Sequence, residues 1–205
     1  MNEALPTPRP GVGPPLDRRF ELGRWRIPLG FVLTLVWVLR ARPSLLSLAL
    51  GLPLAAAGLA LRAWAAGYIR KNDVLATSGP YRYTRNPLYL GSTLLGIGFV
   101  LAGADPWMSL GVALLFILVY LPVIRREEAF LQHRFGAEFE AYARRVPRLL
   151  PRWGGGPIGG TFSVALYLRH REYNALLGYL GLTAVLLLRL WGVLPHGGGW
   201  LRTLP

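Results

Sequence analysis

The residues of this chain that could do chemistry lie in two short polar stretches. The first, from Ser78 to Ser92, reads SGPYRYTRNPLYLGS and combines arginine, asparagine and tyrosine side chains with two prolines. The second begins at Arg125 and places the adjacent acids Glu127 and Glu128 behind two arginines. Carboxylates bind cations or accept protons, and tyrosine rings can contact a cation through their faces. The two acids therefore require either salt-bridge partners, such as Arg125 and Arg126, or a cationic ligand.

The composition places these stretches in a membrane protein. The chain has 205 residues, of which 53% are apolar, yet its formal net charge is +13. A nucleic-acid-binding domain would carry its basic residues on a soluble face, whereas here they lie between long apolar runs. This pattern favours an integral membrane protein with basic edges and disfavours a nucleic-acid partner.

Five apolar segments are candidates for transmembrane helices, since about 20 apolar residues cross a bilayer core of about 30 Å. The links at 41–44 and 104–105 are so short that each must join an antiparallel helix pair. Recurring glycines would let the helix backbones approach closely, at Gly51, Gly58, Gly91, Gly96, Gly98 and Gly111. We therefore predict an all-α integral membrane protein with about five transmembrane helices. These are Trp25–Arg40, Leu45–Ala66, Pro87–Gly103, Pro106–Ile124 and Asn174–Leu194.

The positive charges predict the orientation. Eighteen Lys and Arg residues fall on the side that holds the N-terminal tail, and three fall on the opposite side. The excess predicts a cytoplasmic N-terminus in a bacterial or archaeal inner membrane, with the polar stretches at the cytoplasmic face. Arg62 and Arg189 lie within spans, and both are expected to extend toward the membrane surface. For Arg62 the alternative is that it faces a polar site.

The chain divides by composition into five segments. It has no cysteine, and His133, His170 and His196 are far apart without metal-ligand spacing, so no metal site is predicted. The segments are a flexible cytoplasmic tail at 1–24, a helix pair at 25–66, a polar core with its helical hairpin at 67–151, a Gly-rich joint at 152–160, and an interfacial segment with the last span at 161–205.

An apolar stripe follows the fourth span. Its residues recur every three or four positions and predict one amphipathic helix, which could lie on anionic lipid. The stripe consists of Leu131, Phe135, Phe139, Tyr142 and Val146.

The two polar stretches, separated by a helical hairpin, resemble the integral-membrane methyltransferases that include isoprenylcysteine carboxyl methyltransferases and phosphatidylethanolamine N-methyltransferases. The resemblance runs from Asp73 to Pro151 and rests on SGPYRYTRNPLYLGS and RREEAFLQHRFGAEFEAYARRVPRLLP in that order. It implies a site for S-adenosylmethionine, with S-adenosylhomocysteine as product, at the cytoplasmic membrane edge. The cofactor-binding positions that it implies are Asp73, Val74, Leu75, Ala76, Tyr81, Asn86, Pro87, Leu88, Tyr89, Glu127 and Glu128.

The chemistry of the cofactor suits these residue types. Glu127 or Glu128 could bind its ammonium group, Arg85 its carboxylate, and Tyr81, Tyr83 or Tyr89 could stack or contact the cation. Pro87 suits the first turn of the third helix and biases the residue before it toward extended geometry. The catalytic residues implied are Glu127, Glu128, Asn86 and Arg85, with one acid as the base if the acceptor is an amine.

Departures from the family patterns bear on the methyl acceptor. The carboxyl methyltransferases usually carry Arg-His-Pro where this chain has Arg85-Asn86-Pro87, and the phospholipid enzymes can show the NPLYLGST pattern found here. Val123 occupies a position where the carboxyl branch places a substrate-contacting arginine. We therefore expect methylation of a lipophilic acceptor, with phospholipid N-methylation favoured and carboxyl methylation as the alternative.

Two other function classes remain open. A membrane reductase using NADPH would need a basic phosphate-binding cluster, for which Arg144, Arg145 and Arg148 are the candidates. A non-catalytic carrier or assembly protein is the other alternative. In the C-terminal segment, Glu172 and Asn174 are the polar residues that could contact a substrate head group.

Overall fold

The computed structural model describes residues 22–69, 74–153 and 159–194, with side chains from residue 28 onward. Over those residues the chain forms eight α-helices and no strand, which confirms the predicted all-α class. A 3₁₀ turn at Gly79–Arg82 precedes the third helix, and a π-helical turn at Phe116–Tyr120 joins the fourth to the fifth. The helices are α1 (Leu22–Arg40), α2 (Leu45–Ala66), α3 (Pro87–Gly103), α4 (Pro106–Leu115), α5 (Leu121–Phe135), α6 (Ala137–Arg145), α7 (Val164–Arg169) and α8 (Tyr173–Leu190).

Three helical segments are long and apolar enough to cross a membrane: α2, the continuous helix Pro106–Phe135, and α8. The apolar parts of α1 and α3 are shorter, so the count of five crossings stays a prediction. The fourth span was predicted to end at Ile124, but its helix continues to Phe135. It ends at Gly136, whose positive φ of 49° breaks the helical geometry.

The tightest packing in the fold joins α2 to α3 through glycines. A Cβ atom on Gly51 would overlap the backbone of Gly98 and Ala102, and one on Gly98 would overlap the backbone of Ala55. Gly58 and Gly91 meet in the same way about two turns further along. This contact holds α3 against α2 and thereby positions the polar residues that precede α3.

We expect Gly98→Ala to lower the stability of the detergent-purified protein by about 1–3 kcal/mol, because the added methyl group has no space against α2. Gly96→Ala, on the same helix, is the matched control, since its nearest neighbour would be a Val112 methyl group at 3.5 Å. Thermal unfolding of both variants measures the difference. Equal midpoints for the two would contradict the close α2–α3 packing.

The end of the bundle away from the polar stretches is held by buried polar contacts. Asp105 caps α4 by accepting from the amide of Trp107 at 2.9 Å and from Arg40 Nε at 2.6 Å. Burial alone would raise the pKa of Asp105, but the hydrogen bonds from Arg40 and Trp107 outweigh it and lower that pKa. Ionised Asp105 therefore ties α1 to the start of α4.

Arg189 does not extend toward the surface as expected. Its side chain is 4% exposed, and Nη1 donates at 2.8 Å to the carbonyl oxygen of Ala41, directly after α1. Carbonyl groups at a helix C-terminus lack intrahelical partners and attract a positive charge, which explains this position.

The apolar stripe covers two helices rather than one. Gly136 separates α5 from α6, and Phe139, Tyr142 and Val146 are buried together with Leu75. Leu131 and Phe135 pack against this cluster. The stripe therefore packs on the link before α3, and the expectation that it lies on lipid is wrong.

Candidate active site

A cavity of about 970 Å³, the polar cavity, lies between the link before α3, the end of α5 and the helices α1, α2 and α8. It brings together residues that the sequence analysis assigned from both polar stretches. Asp73 lies outside the described residues, and Glu128 lies behind the wall. The predicted residues on the wall are Val74, Leu75, Ala76, Tyr81, Arg85, Asn86, Pro87, Leu88, Tyr89 and Glu127.

The link reaches this position through a tight turn and two backbone pairings. Gly79 has φ +59° and contacts the ring of Tyr68, so a side chain there would be strained and would clash. The amide of Arg85 donates to the carbonyl oxygen of Pro147 at 2.9 Å. The amide of Arg152 donates to the carbonyl oxygen of Tyr83 at 2.9 Å. The segment after α6 thus fixes the link in place.

Glu128 is the centre of a buried hydrogen-bond network. Its side chain is 9% exposed. Oε1 accepts from Asn86 Nδ2 at 3.0 Å and pairs with Arg85 Nε at 3.2 Å, while Oε2 accepts from Arg148 Nε at 2.8 Å. Asn86 also donates to the carbonyl oxygen of Arg148 at 2.9 Å. Glu128 therefore joins α5, the link and the segment after α6, rather than facing a ligand.

Arg85 is held by the same network. Besides its ion pair with Glu128, its guanidinium group lies 5.9 Å from the ring centre of Phe139, and Nη1 donates to the carbonyl oxygen of Ala143 at 3.3 Å. Arg85 still borders the cavity, but its charge is compensated by Glu128. The geometry gives it a positioning role beside the predicted role of binding a carboxylate.

Glu127 points in a different direction from its neighbour. Its side chain is exposed at the edge of the polar cavity and accepts from the hydroxyl of Tyr89 at 3.0 Å. The Tyr89 ring packs edge-on against Tyr120, with 5.7 Å between ring centres. A carboxylate beside aromatic rings at a cavity edge is suited to a cationic group.

Tyr81 contributes a buried hydroxyl group with no hydrogen-bond partner among the described residues. The side chain lines the polar cavity and is 6% exposed. Burial, together with the nearby charges of Glu127 and Glu172, raises the pKa of Tyr81 well above its ordinary range. The hydroxyl group therefore stays protonated, and a buried donor without a partner indicates a place for a polar ligand atom.

Five positions that the sequence analysis named lie away from this cavity. Tyr83 packs between Trp64 and Trp153 under the guanidinium group of Arg82, an arrangement typical of a membrane-interface anchor. Asn174 is exposed and does not line the cavity. Of the basic cluster required by the reductase alternative, Arg148 binds Glu128, and Arg144 and Arg145 do not line the cavity.

Arg62 faces the polar site, as the alternative interpretation proposed. It pairs with Glu172 at 2.9 Å, and both side chains line the polar cavity. The sequence analysis named both residues but did not pair them, since they lie 110 positions apart. A signal was present in the sequence: a charged residue within an apolar span generally has a functional partner.

A second cavity of about 360 Å³, the apolar cavity, adjoins the polar one within the helix bundle. The two cavities share wall residues from α1, α2, α3 and α8, including Thr34, Arg62, Ser92 and Leu182. The apolar cavity continues between helices along Leu33, Trp37, Leu95, Phe99, Val112 and Leu115. A compartment with charged and hydroxyl groups on its wall thus meets one that is lined mainly by hydrocarbon side chains.

Comparisons with known proteins give one family match and two relatives that cover most of the chain. A family model described as phospholipid methyltransferase matches residues 46–138. The cobalt-zinc-cadmium resistance protein CzcN of Cupriavidus metallidurans is 37% identical over 179 residues, which are 82% of this chain and 80% of CzcN. The nickel-cobalt-cadmium resistance protein NccN of Alcaligenes xylosoxydans is 32% identical over 203 residues, 90% of this chain and 91% of NccN.

The similarity to isoprenylcysteine enzymes is local. The protein-S-isoprenylcysteine O-methyltransferase of Schizosaccharomyces pombe is 31% identical over 81 residues, 40% of this chain and 34% of that enzyme. No solved structure matches the chain significantly. The family match, with the apolar helices, indicates an integral membrane protein. The phospholipid methyltransferase domain and the local similarity to isoprenylcysteine O-methyltransferases match the integral-membrane methyltransferase superfamily. Over most of its length, the chain belongs to the same family as CzcN and NccN.

Proposed function

We propose that this protein transfers a methyl group from S-adenosylmethionine to a lipophilic acceptor that enters from the membrane. The observation that carries the proposal is the junction of the two cavities. The polar cavity collects residues from both family motifs, and it adjoins an apolar cavity between the helices. A charged cofactor and a hydrocarbon-bearing acceptor could meet at that junction.

The residues of the polar cavity fit the cofactor. Its volume of about 970 Å³ is at the upper end of the range for ligand sites, which allows a cofactor and an acceptor head group together. Among the described side chains on its wall, Glu127 offers a carboxylate at the edge and Tyr81 a buried hydroxyl group without a partner. Aromatic rings supply flat apolar surfaces.

When bound, the cofactor supplies an activated methyl group on a sulfonium centre. Glu127 would hold the ammonium group, and Tyr81 would donate a hydrogen bond to a polar atom of the cofactor. Glu128, Arg85 and Asn86 would act by holding the link before α3 in a fixed position relative to α5. Displacement at a methyl carbon depends on alignment and exclusion of water, so positioning by this network is the main contribution expected of the protein.

For the acceptor, we propose N-methylation of a phospholipid or a similar lipid, with carboxyl methylation as the alternative. The NPLYLGST pattern and the match to the phospholipid methyltransferase family support the first. The local similarity to isoprenylcysteine enzymes supports the second. The orientation proposed from the charges places the polar cavity at the cytoplasmic face of an inner membrane, where the cofactor is available.

The proposal is tested by supplying methyl-labelled cofactor to membranes that contain the protein and extracting the lipid. We expect label in a lipid-soluble product, and much less label with membranes that hold the Glu127→Gln variant, whose cofactor affinity is expected to be lower. Label that appears equally in membranes lacking the protein would contradict methyl transfer by this chain.

Removing the unpartnered hydroxyl group gives a second test of the cofactor site. Tyr81→Phe is expected to leave stability unchanged or slightly raised, because no existing hydrogen bond is lost. The affinity for S-adenosylhomocysteine should fall about two- to tenfold by calorimetry, the range for one neutral hydrogen bond. Tyr83→Phe, in the aromatic cluster away from the cavity, should change neither value. Equal affinities for wild type and Tyr81→Phe would place the ligand elsewhere.

A role in metal resistance is a second candidate function, favoured by the extent of similarity to CzcN and NccN. Within the part of the chain that the structure describes, no group of three or more His, Asp or Glu residues could hold a metal ion, and the chain has no cysteine. We propose that such a role would depend on methyl transfer. In a metal-sensitive host, protein-dependent tolerance should disappear with Glu127→Gln, and tolerance that survives this change would indicate a non-catalytic role.

A further inference from the structure

An ion pair lies on the wall where the two cavities meet. Arg62 of α2 forms a two-pronged pair with Glu172, the residue before α8, with nitrogen–oxygen distances of 2.9–3.1 Å. Arg62 Nη1 donates to Ser92 Oγ of α3, and Ser92 donates to the carbonyl oxygen of Leu88 at 2.8 Å. Arg62 and Ser92 line both cavities, and Glu172 lines the polar one.

The hydrogen bonds of this cluster leave an acceptor site open. The guanidinium group of Arg62 directs Nε and Nη2 to Glu172 and Nη1 to Ser92, so its charge is matched by Glu172. A carboxylate has about four lone-pair positions. The contacts with Arg62 occupy three of these lone-pair positions on Glu172, which leaves one open. The Glu172 side chain also borders the polar cavity. The cluster is therefore equipped to accept a hydrogen bond from a ligand.

We propose that Glu172, held by Arg62, accepts a hydrogen bond from the nucleophile of the methyl acceptor, and that the acceptor is a lipophilic amine. This inference rests on the proposed function and selects among its acceptors. The hydrocarbon part would occupy the apolar cavity, and the nitrogen would lie at the junction beside Glu172. A carboxylate nucleophile has no hydrogen to donate, and it would meet the like charge of Glu172.

The chemical step balances with the groups named. The lone pair of the neutral amine forms the new nitrogen–carbon bond, and the carbon–sulfur bond breaks with its electron pair moving to sulfur. The nitrogen then carries a positive charge and a hydrogen that is donated to Glu172, and this proton passes to water when the product leaves. Glu172 thus stabilises the charge that develops on nitrogen.

The position of Glu172 in the chain is consistent with a role in acceptor choice. It lies outside residues 46–138, which match the phospholipid methyltransferase model. The residues that the resemblance assigns to the cofactor, from Asp73 to Glu128, lie within that range. A residue that selects the acceptor can therefore differ between branches without altering the cofactor site.

Two probe molecules that each carry one alkyl chain and differ in their head group test this inference. Dodecylamine and dodecanoate are titrated into the full-length, detergent-purified protein with S-adenosylhomocysteine bound, and thermal stabilisation gives the apparent affinity. We expect wild type to prefer the amine by at least about tenfold, since a like-charge contact disfavours the carboxylate. In Glu172→Gln the preference should be lost or reversed, because the charge of Arg62 is no longer matched. Methyl transfer to dodecylamine should fall in parallel.

The controls separate a local role from loss of folding. Glu138→Gln changes an exposed acid of α6 and should keep the full amine preference. Glu172→Asp keeps the negative charge and should retain part of the preference for the amine. Arg62→Gln combined with Glu172→Gln removes both charges, so no unpaired charge remains, and this variant should bind S-adenosylhomocysteine but not discriminate between the probes.

Two results overturn the inference. The first is that wild type binds dodecanoate as tightly as dodecylamine or more tightly. The second is that the amine preference is unchanged both in Glu172→Gln and in the double variant with Arg62→Gln. Either result together with normal S-adenosylhomocysteine binding would leave the proposed function standing. Failure of wild type to bind S-adenosylhomocysteine would instead overturn the proposed function.

Discussion

Glu128→Gln should destabilise the protein by about 3 kcal/mol, because removing one member of a buried ionic network leaves its partners uncompensated. In the native protein the carboxylate pairs with Arg85 and Arg148 and accepts from Asn86. A glutamine amide would present N–H groups to one of these donors and no charge to either arginine. Since the network joins three segments around the polar cavity, cofactor affinity should fall as well.

Thermal unfolding in detergent measures this effect. Glu140→Gln is the matched control, because Glu140 is an exposed acid of α6 whose ion pair with Arg144 is 3.9 Å long, and such pairs contribute at most about 1 kcal/mol. A Glu128→Gln midpoint equal to that of Glu140→Gln would show that the network does not stabilise the fold.

Glu127→Gln, the same substitution one residue earlier, should have the opposite profile. Stability should stay within about 0.5 kcal/mol of wild type, because an exposed side chain is changed. Affinity for S-adenosylmethionine should fall about ten- to a hundredfold, which corresponds to losing one hydrogen bond to a charged group. Calorimetry and thermal unfolding on the same preparation give both values.

The comparison with Glu138→Gln completes this test, since Glu138 is exposed on α6 and does not line the polar cavity. An equal loss of affinity in Glu127→Gln and Glu138→Gln would indicate a general effect of net charge. Loss of stability in Glu127→Gln without loss of affinity would assign Glu127 a structural role.

The sequence alone could not separate the two acids. Successive residues on an α-helix point about 100° apart, so the two acids face different surroundings, and only Glu127 of the pair lines the polar cavity. Which one faces the cavity depends on how α5 is rotated by its packing on the link and α6. Residue type and spacing identified the pair, and tertiary contact gave Glu127 and Glu128 different surroundings.

Helix ends were predicted best where local chemistry determines them. The observed bounds of α2 and α3 agree with the prediction because Ser44 caps α2 with Ser47, and Pro87 starts α3. The end of the fourth span was placed too early, since hydropathy falls at the membrane edge while the helix itself continues to Gly136. Because the apolar stripe keeps its spacing across Gly136, the sequence pattern does not reveal the break between α5 and α6.

Long-range pairs left the weakest sequence signal. Arg62 lies on α2 and Glu172 directly precedes α8, so their contact depends on how α8 packs against α2. The unpartnered hydroxyl of Tyr81 is likewise a property of the folded cavity. The family motifs predicted residues that line the polar cavity, but the junction with the apolar cavity emerged only from the packing of the helices.

The central claim is that the polar cavity is a cofactor site, and calorimetry on the detergent-purified wild-type protein tests it most directly. We predict saturable binding of S-adenosylmethionine and S-adenosylhomocysteine at one site per chain, with weaker binding in Glu127→Gln and no saturable binding of NADPH. The account would be contradicted if neither S-adenosylmethionine nor S-adenosylhomocysteine bound, or if NADPH bound saturably instead.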